Sequence, residues 1–415
     1  MTAPVDTASA ADVLAELMAP GNRDSPYPLL ARIRENTPVL VDAAAGVCFL
    51  SRHADARLVL RSPLFRAPES EELEAMFPRV RSSPAVRTYL RSMAATNPPE
   101  HTRLHKAISR GYTARRVETL RAHTEQHAER LLAALAEPLR DGITVDLHTA
   151  FSVPLGMSTL ARALGVPEAE YLELAPLALR MLGAINPLAG DAQVADADEA
   201  TRAFEELFRR LLAPRRSGFG GDALSTLFTS AQDAGDRRSY ESESMTMLWF
   251  VTAVGVDTAI AGIDTAAVLM LRHPAQAMTL AGGPAQVKAF VAECLRYDEP
   301  AWATGVPRVT DRPTEVGGRL IPPGVDVRVL LPAVNRDPRA FADPDRFDPG
   351  RDTSAMLTFG QGAHYCVGAH LTRMVTAVAL RALYTGFPGL VLAGEPSRRP
   401  TGSLRTFDRV PVVIP

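Results

Sequence analysis

The stretch from Ser244 to Arg272 constrains this 415-residue chain more than any other. It reads as one long, unusually apolar helix, stopped by His273-Pro274, because proline cannot continue the helical pattern. A helix apolar on most of its faces has to be enclosed by other elements. Arg115 to Leu135 sets Val117, Leu120, Leu131, Leu132 and Leu135 among charges, and Ala200 to Leu212 gathers Phe204, Leu207, Phe208, Leu211 and Leu212 on one side. Both patterns are amphipathic, so the chain is expected to be mostly helical from about residue 98 to 300.

Strand signals lie outside that region. Pro38–Val41 and Val47–Leu50, around a turn at Gly46, read as a short hairpin. Val306 to Thr310 and the pieces around Pro322-Pro323-Gly324 suggest strands with a turn, and Val391 to Pro415 alternates turns with short extended pieces. Ser217 to Asp222 reads as a loop, and Asn335 to Asp352, rich in Asp, Arg and Pro, as ordered coil. With no repeat and no Gly/Ser-rich linker, the expected fold class is mainly α with small β-sheets. One domain would span residues 21–415, behind an N-terminal extension of residues 1–20.

Composition narrows the class. The formal charge of −2 argues against a general nucleic-acid binder. The basic residues divide into 43 Arg and 2 Lys, a codon signature of a GC-rich bacterial genome. Three dispersed cysteines, Cys48, Cys294 and Cys366, exclude a disulfide framework and a Cys-rich zinc module. Residues 1–20 show no signal-peptide pattern. The longest run without Asp, Glu, Lys or Arg, Thr353 to Thr372, is too polar to span a bilayer. A cytoplasmic protein with no nucleic-acid or membrane partner is expected.

Cys366 stands in Phe359-Gly-Gln-Gly-Ala-His-Tyr-Cys-Val-Gly368, just before an apolar helix from about Val367 to Tyr384. A helix N-terminus lowers a thiol pKa, and glycines let the backbone approach something bulky. The cysteine could be a buried turn residue, a nucleophile or a thiolate ligand; no CxxC partner makes it a zinc site. A lone thiolate with glycine clearance fits axial ligation of haem iron.

Two further features stand out. Glu293-Cys-Leu-Arg296 is one of several Glu-x-x-Arg pairs, most of which would be solvated i,i+3 pairs; it alone precedes the coil holding Pro344-Asp-Arg-Phe347 and then the cysteine loop. Within the apolar helix, Val254-Gly-Val-Asp-Thr-Ala259 is a polar break. A buried Asp257 is costly unless a partner or water receives it. The plain reading is a polar stripe shared by Asp257 and Asp264, seven residues apart.

The cysteine loop is similar to the haem-binding loop of the cytochrome P450 family, FGxGxHxCxG, with every constrained position filled. The resemblance runs from about residue 20 to the end and implies the P450 fold, with haem b between the long helix and the cysteine-loop helix. It makes Cys366 the axial iron ligand and His364 a propionate donor. Phe359 would shield the sulfur, while Gly360, Gly362 and Gly368 shape the loop. Glu293, Arg296 and Arg346 would form a buried structural charge network. Asp257 would relay protons and Thr258 would hold dioxygen and a water, the two catalytic residues. His101 matches a propionate donor, His105 stands where an arginine is usual, and Arg308 matches the remaining propionate arginine. His101 and His105 at i,i+4 could alternatively chelate a metal, although no third ligand is visible. Val254 departs from the usual Ala or Gly, and Ala259 from a second Thr or Ser.

Substrate-facing segments follow by analogy: Phe65 to Met93, Leu164 to Ala195, Phe250 to Asp257, Ala301 to Val306 and Gly402 to Thr406. The uncharged ones suggest a small hydrophobic, possibly aromatic substrate; Trp249 and Trp302 read as core. What the resemblance implies is a monomeric bacterial monooxygenase of secondary metabolism, with hydroxylation as the expected reaction. Oxidative C–C or C–N coupling of an aromatic natural product such as a cyclic dipeptide is the rival, and peroxide-driven oxygenation another. A non-catalytic haem sensor is the reading from a different class. Electrons would come from a ferredoxin or flavodoxin with a reductase, an acidic partner docking on Lys106, Arg110, Arg115, Arg116 and Arg373.

Overall fold

A computed structural model describes residues 9–184, 189–212, 237–305, 307–399 and 404–415. The expected loop at Ser217–Asp222 lies outside the described residues, as do residues 185–188, 306, 402 and 403 of the substrate-facing segments.

The apolar segment is the core of a helical assembly. It forms a single helix, Arg237–Arg272, packed against helices Val153–Leu164, Pro284–Tyr297 and Ala369–Gly386. Its length and composition would suffice to cross a membrane, but 78% of its apolar window is buried in protein. Two glycines set the spacing. A Cβ at Gly156 would meet Ile260 at 3.0 Å, and one at Gly262 would meet Thr376 Oγ1 at 3.1 Å, so larger residues would push the helices apart. Trp249 is fully buried, its indole N–H donating to Thr201 at 2.9 Å, as core packing of a tryptophan demands.

The expected helix over 115–135 divides into Ala114–Glu118 and Arg121–Arg140. At the junction the Thr119 hydroxyl donates to the Arg116 carbonyl at 2.7 Å, a local bond that competes with helix continuation. Ala200–Leu212 proves to be the second half of a helix over Asp191–Leu212.

The small sheets lie at the margins. Val39–Asp42 pairs antiparallel with Val47–Leu50, as expected, and Asp326–Val329 adds to it in parallel. Thr314–Val316 pairs with Arg319–Ile321, and Pro411–Val413 lies between Val145–Asp146 and Val391–Leu392. Among the described residues, the strand expected over Val306–Thr310 is one bridge between Val309 and Arg66, and Pro307 has no N–H to extend a ladder.

The division at residue 20 is not a structural boundary. Helix Ala10–Met18 buries Val13 and Leu17 in one cluster with Leu30, Ile33, Phe49 and Trp302. Beside it, Arg23 donates to the carbonyls of Arg399 (2.6 Å) and Leu404 (3.0 Å), and fully buried Arg405 donates to those of Arg23 and Asp24 (3.1 Å each). This seam ties the start of the fold to the hairpin Ser397–Arg398/Phe407–Arg409.

Candidate functional site

Cys366 and the two other cysteines part company in the fold. Cys48 and Cys294 are buried, as expected of small apolar side chains, and Cys366 is exposed. The loop around it needs its glycines. Gly360 and Gly362 have φ of +69° and +77°, and a Cβ at Gly362 would collide with the Leu60 carbonyl oxygen. The Cys366 N–H donates to the Phe359 carbonyl at 2.9 Å, which closes the loop before helix Ala369–Gly386 begins. Phe359 is buried beneath it, with the Arg373 guanidinium 4.2 Å from the ring centroid.

The Cys366 thiol is not lowered as the sequence suggested. Loss of hydration raises its pKa, and the N–H groups of Gly368 and Ala369 and the charge of Arg373 offset only part of that. The residue keeps accessible surface, yet its low-polarity surroundings dominate. A bound metal ion would decide the matter, because it deprotonates a coordinating thiol outright.

On the central helix every residue from Met247 to Met270 is buried except Phe250, Val254, Gly255 and Thr258. Phe250, Val254 and Thr258 are four apart, hence one stripe of the helix, with Gly255 beside it. A strip of partial exposure inside a buried helix borders open space. Gly262, one turn beyond Thr258, packs on Thr372 and Thr376, one to three turns beyond Cys366, so the two helices meet a short way past the strip on one and past the cysteine loop on the other. The Thr258 hydroxyl donates to the Val254 carbonyl at 2.8 Å. Phe250 stacks at 6.4 Å on Tyr89, whose hydroxyl donates to the Gly305 carbonyl at 2.6 Å. That pair joins three of the expected substrate-facing segments.

Asp257 is buried and holds a two-pronged ion pair with Arg399, at 3.0 and 3.4 Å. Asp264 does not share this partner; it accepts from His148 Nδ1 at 2.7 Å. The two acids sit on one face of the helix with a separate partner each.

The groups expected at the propionates gather without an acid. The His101 ring lies 3.9 Å from His364 and 5.4 Å from His105, centroid to centroid. His101 positions itself through the loop before it, where Asn97 exchanges two 2.8 Å hydrogen bonds with the Ala67 backbone. Burial, then the neighbouring positive charges, push His101 down to about 4 and His364 down to about 2. Buried Arg308 is held down to about 10, its guanidinium donating to the Pro307 carbonyl. His105 Nε2 is buried with no protein partner. A cluster of donors without a counter-charge is a binding site for an anion. The alternative, a metal held by His101 and His105, has no support: no group of three metal-ligating side chains occurs among the described residues.

The charge network corrects one expectation. Glu293 and Arg296, both fully buried, form a bidentate pair at 2.7 and 2.8 Å. The third member is Arg351, whose Nε lies 3.3 Å from Glu293, while the Asp348 N–H donates to the same oxygen at 2.9 Å. Arg346, the residue expected there, points to solvent and pairs with Asp348 at 2.5 Å. Only its carbonyl takes part, accepting from Arg351 at 3.1 Å. Arg351 and Arg399 escaped the sequence reading. Arg351 lies four residues past the Pro-Asp-Arg-Phe element and was within reach of it; nothing local marks Arg399.

A family model described as Cytochrome P450 matches residues 286–392, the span that carries Glu293, Arg351 and Cys366. The chain is 38% identical to cytochrome P450 BJ-3 of Bradyrhizobium diazoefficiens, over 98% of this chain and 97% of that one. The chain belongs to the cytochrome P450 family. It is also 32% identical to 6-deoxyerythronolide B hydroxylase of Saccharopolyspora erythraea, covering 93% of this chain and 95% of that relative. The crystal structure of ligand-free Mycobacterium smegmatis CYP164A2 matches the P450 fold seen here with a TM-score of 0.83, at 29% identity over 98% of this chain and 100% of that one. As a cytochrome P450 this protein is an oxidoreductase of the monooxygenase class, and its prosthetic group is haem b. The residues fit that group. An exposed cysteine stands ready for iron, and His105 Nε2, His101, His364 and Arg308 lack the acids that two propionates supply.

Proposed function

We propose that this P450 hydroxylates a small hydrophobic molecule of bacterial secondary metabolism, using O2 and two electrons from a ferredoxin or flavodoxin with its reductase. Cys366 is the iron ligand in this reading, and His101, His105, His364 and Arg308 hold the propionates. Haem b, when bound, supplies the oxygen activation. The protein's own part is to shape the space beside Phe250, Val254 and Thr258, to exclude water there, and to bring protons through Asp257 and Thr258. The observation that carries the reading is the half-exposed stripe of an otherwise buried helix, apolar at Phe250 and Val254 and ending on the Thr258 hydroxyl. Relatives named for hydroxylation of 6-deoxyerythronolide B and of vitamin D3 favour hydroxylation over coupling.

The reduced carbon-monoxide complex tests the centre of this reading. Wild-type protein should show the red-shifted band of a haem thiolate, and Cys366→Ala should lose it; persistence of the band in that variant would refute the ligand. Thr258→Ala should divert oxygen from product to peroxide while peroxide-supported oxidation continues. For the partner, Lys106, Arg110 and Arg115 are exposed, and none of them is ion-paired among the described residues. Arg110→Glu with Arg116→Glu should weaken turnover with an acidic ferredoxin, and unchanged turnover would remove this face from the reading. Arg373, tied to Phe359 and Tyr365, contributes less to such a surface than the sequence implied.

A further inference from the structure

Asp257 is nearly closed off from solvent, and both of its oxygens are engaged by one side chain. Arg399 Nη2 donates to Oδ1 at 3.0 Å and Nη1 to Oδ2 at 3.4 Å. The Arg399 side chain is 30% exposed, so it stands between the buried acid and water. Its backbone is anchored on both sides. The Arg399 N–H donates to the Thr406 carbonyl at 2.9 Å, and the Arg399 carbonyl accepts from Arg23 at 2.6 Å. The preceding residue, Arg398, is fixed by Asp298 at 2.5 Å and by the Phe407 ring at 4.0 Å. The hairpin therefore presents Arg399 to the central helix from a rigid base. Thr258, next to Asp257, spends its hydroxyl proton on the Val254 carbonyl, and no bond joins the acid to the alcohol.

We propose that Arg399 is a positioning residue for proton delivery: it holds the Asp257 carboxylate in place at the edge of the groove, through the short Oδ1 contact, and leaves the weakly held Oδ2 as the oxygen that exchanges protons between water and the groove. The proposal rests on the reading of Asp257 as the proton relay. A buried carboxylate needs a partner that satisfies it without neutralising it. A guanidinium meets that need because it stays charged and donates without giving up its proton.

The test uses the haem-loaded protein without substrate. A plant-type ferredoxin and its reductase supply electrons from NADPH. Two reactions then compete: NADPH + H⁺ + O2 gives NADP⁺ + H2O2, and 2 NADPH + 2 H⁺ + O2 gives 2 NADP⁺ + 2 H2O. The rate of NADPH oxidation, its ratio in H2O and D2O, and the peroxide formed per NADPH are measured for wild type, Asp257→Asn, Arg399→Gln, Arg399→Lys and the Asn/Gln double variant. Asp257→Asn should slow oxidation roughly tenfold and enlarge the isotope ratio. Arg399→Gln should do the same to within about threefold, the double variant should be no slower than Asp257→Asn, and Arg399→Lys, which can keep the Oδ1 contact, should stay within about twofold of wild type. Urea unfolding of the same set should likewise be non-additive, as contacting residues are. A wild-type rate in Arg399→Gln, additive losses in the double variant, or a lysine variant as slow as glutamine would each overturn the role of Arg399 and leave Asp257 standing. A wild-type rate in Asp257→Asn would overturn the relay itself. Haem content and the reduced carbon-monoxide spectrum identify a variant that has failed to fold, and the lysine arm then carries the decision.

Discussion

Replacing Arg351 by Ala should destabilise the protein by about 2–4 kcal/mol, and replacing Arg346 by less than about 1 kcal/mol. The two arginines lie in the same coil, but their surroundings differ. The Arg351 side chain is 9% exposed and reaches a fully buried carboxylate; it also donates to the carbonyls of Ala342, Asp343 and Arg346. Breaking a buried pair costs about 3–5 kcal/mol because a charge is stranded. Here Glu293 keeps Arg296 and the Asp348 N–H, so only part of that is lost. Water can replace the guanidinium at the outer carbonyls, which adds little. The Arg346 side chain is 69% exposed and pairs with Asp348 at the surface, where an ion pair contributes roughly 0–1 kcal/mol. Glu293→Gln sets the upper mark at about 3–5 kcal/mol, since it leaves Arg296 buried without a counter-charge. Against a typical total of about 5–15 kcal/mol the Arg346 effect stands well apart from the other two. Urea unfolding of haem-loaded protein, followed by circular dichroism, gives the order directly. If Arg346→Ala lowers the midpoint as much as Arg351→Ala, the geometry argued here is wrong.

Gly362→Ala should cost several-fold in haem retained after purification, because φ of +77° and the Leu60 carbonyl both oppose a Cβ; full haem content in this variant would show that the loop adjusts freely. Glu299, fully enclosed, has its carboxyl pushed up to about 8 by burial, which outweighs donation from the Asn335 amide and the Ala301 N–H and the charge of Arg405. The folded state then keeps a proton that the unfolded chain releases near 4.5, so stability should fall as pH rises from about 4.5 to about 8, by on the order of 4–5 kcal/mol at most. Glu299→Gln should flatten that slope, and an unchanged pH dependence of the urea midpoint would exclude Glu299 as its source. His148 and Asp264 form a pair with one carboxylate oxygen of Asp264 otherwise unpartnered. His148→Ala should lower the thermal midpoint clearly more than a surface histidine change does, whereas the double change with Asp264→Asn should recover part of it; additive losses would refute the coupling.

The cysteine loop was legible because its requirements are local. Gly360 and Gly362 are positions where the backbone itself demands glycine, and Cys366 follows within six residues. The central helix was legible for a similar reason, since its apolar run and the His273-Pro274 stop are properties of one segment. The partners of the buried acids were not. Arg351 reaches back 58 residues to Glu293 and Arg399 reaches back 142 to Asp257. In a chain with 43 arginines, composition cannot say which guanidinium makes such a crossing. Arg346 is marked by its place in the Pro-Asp-Arg-Phe element, but the fold turns its side chain outward and uses its carbonyl. The boundary at residue 20 failed differently: short helix Ala10–Met18 buries Val13 and Leu17 and packs Leu14 and Met18 against the same cluster, an apolar stripe about two turns long that does not by itself announce a docked element.

The seam between Arg23 and the hairpin that holds Arg399 and Arg405 has a consequence for how the protein is made. A ribosome completes Cys366, its glycine loop and the Glu293 network before it reaches the residues that clasp Pro20–Asp24. The nascent chain can therefore assemble its iron-ligating half while its first helices still lack their docking partner. The clasp can close only after synthesis has passed residue 405, and the Arg399–Asp257 contact likewise waits for residue 399. If Asp257 is the proposed proton relay, the partner that holds it is among the last residues the chain acquires.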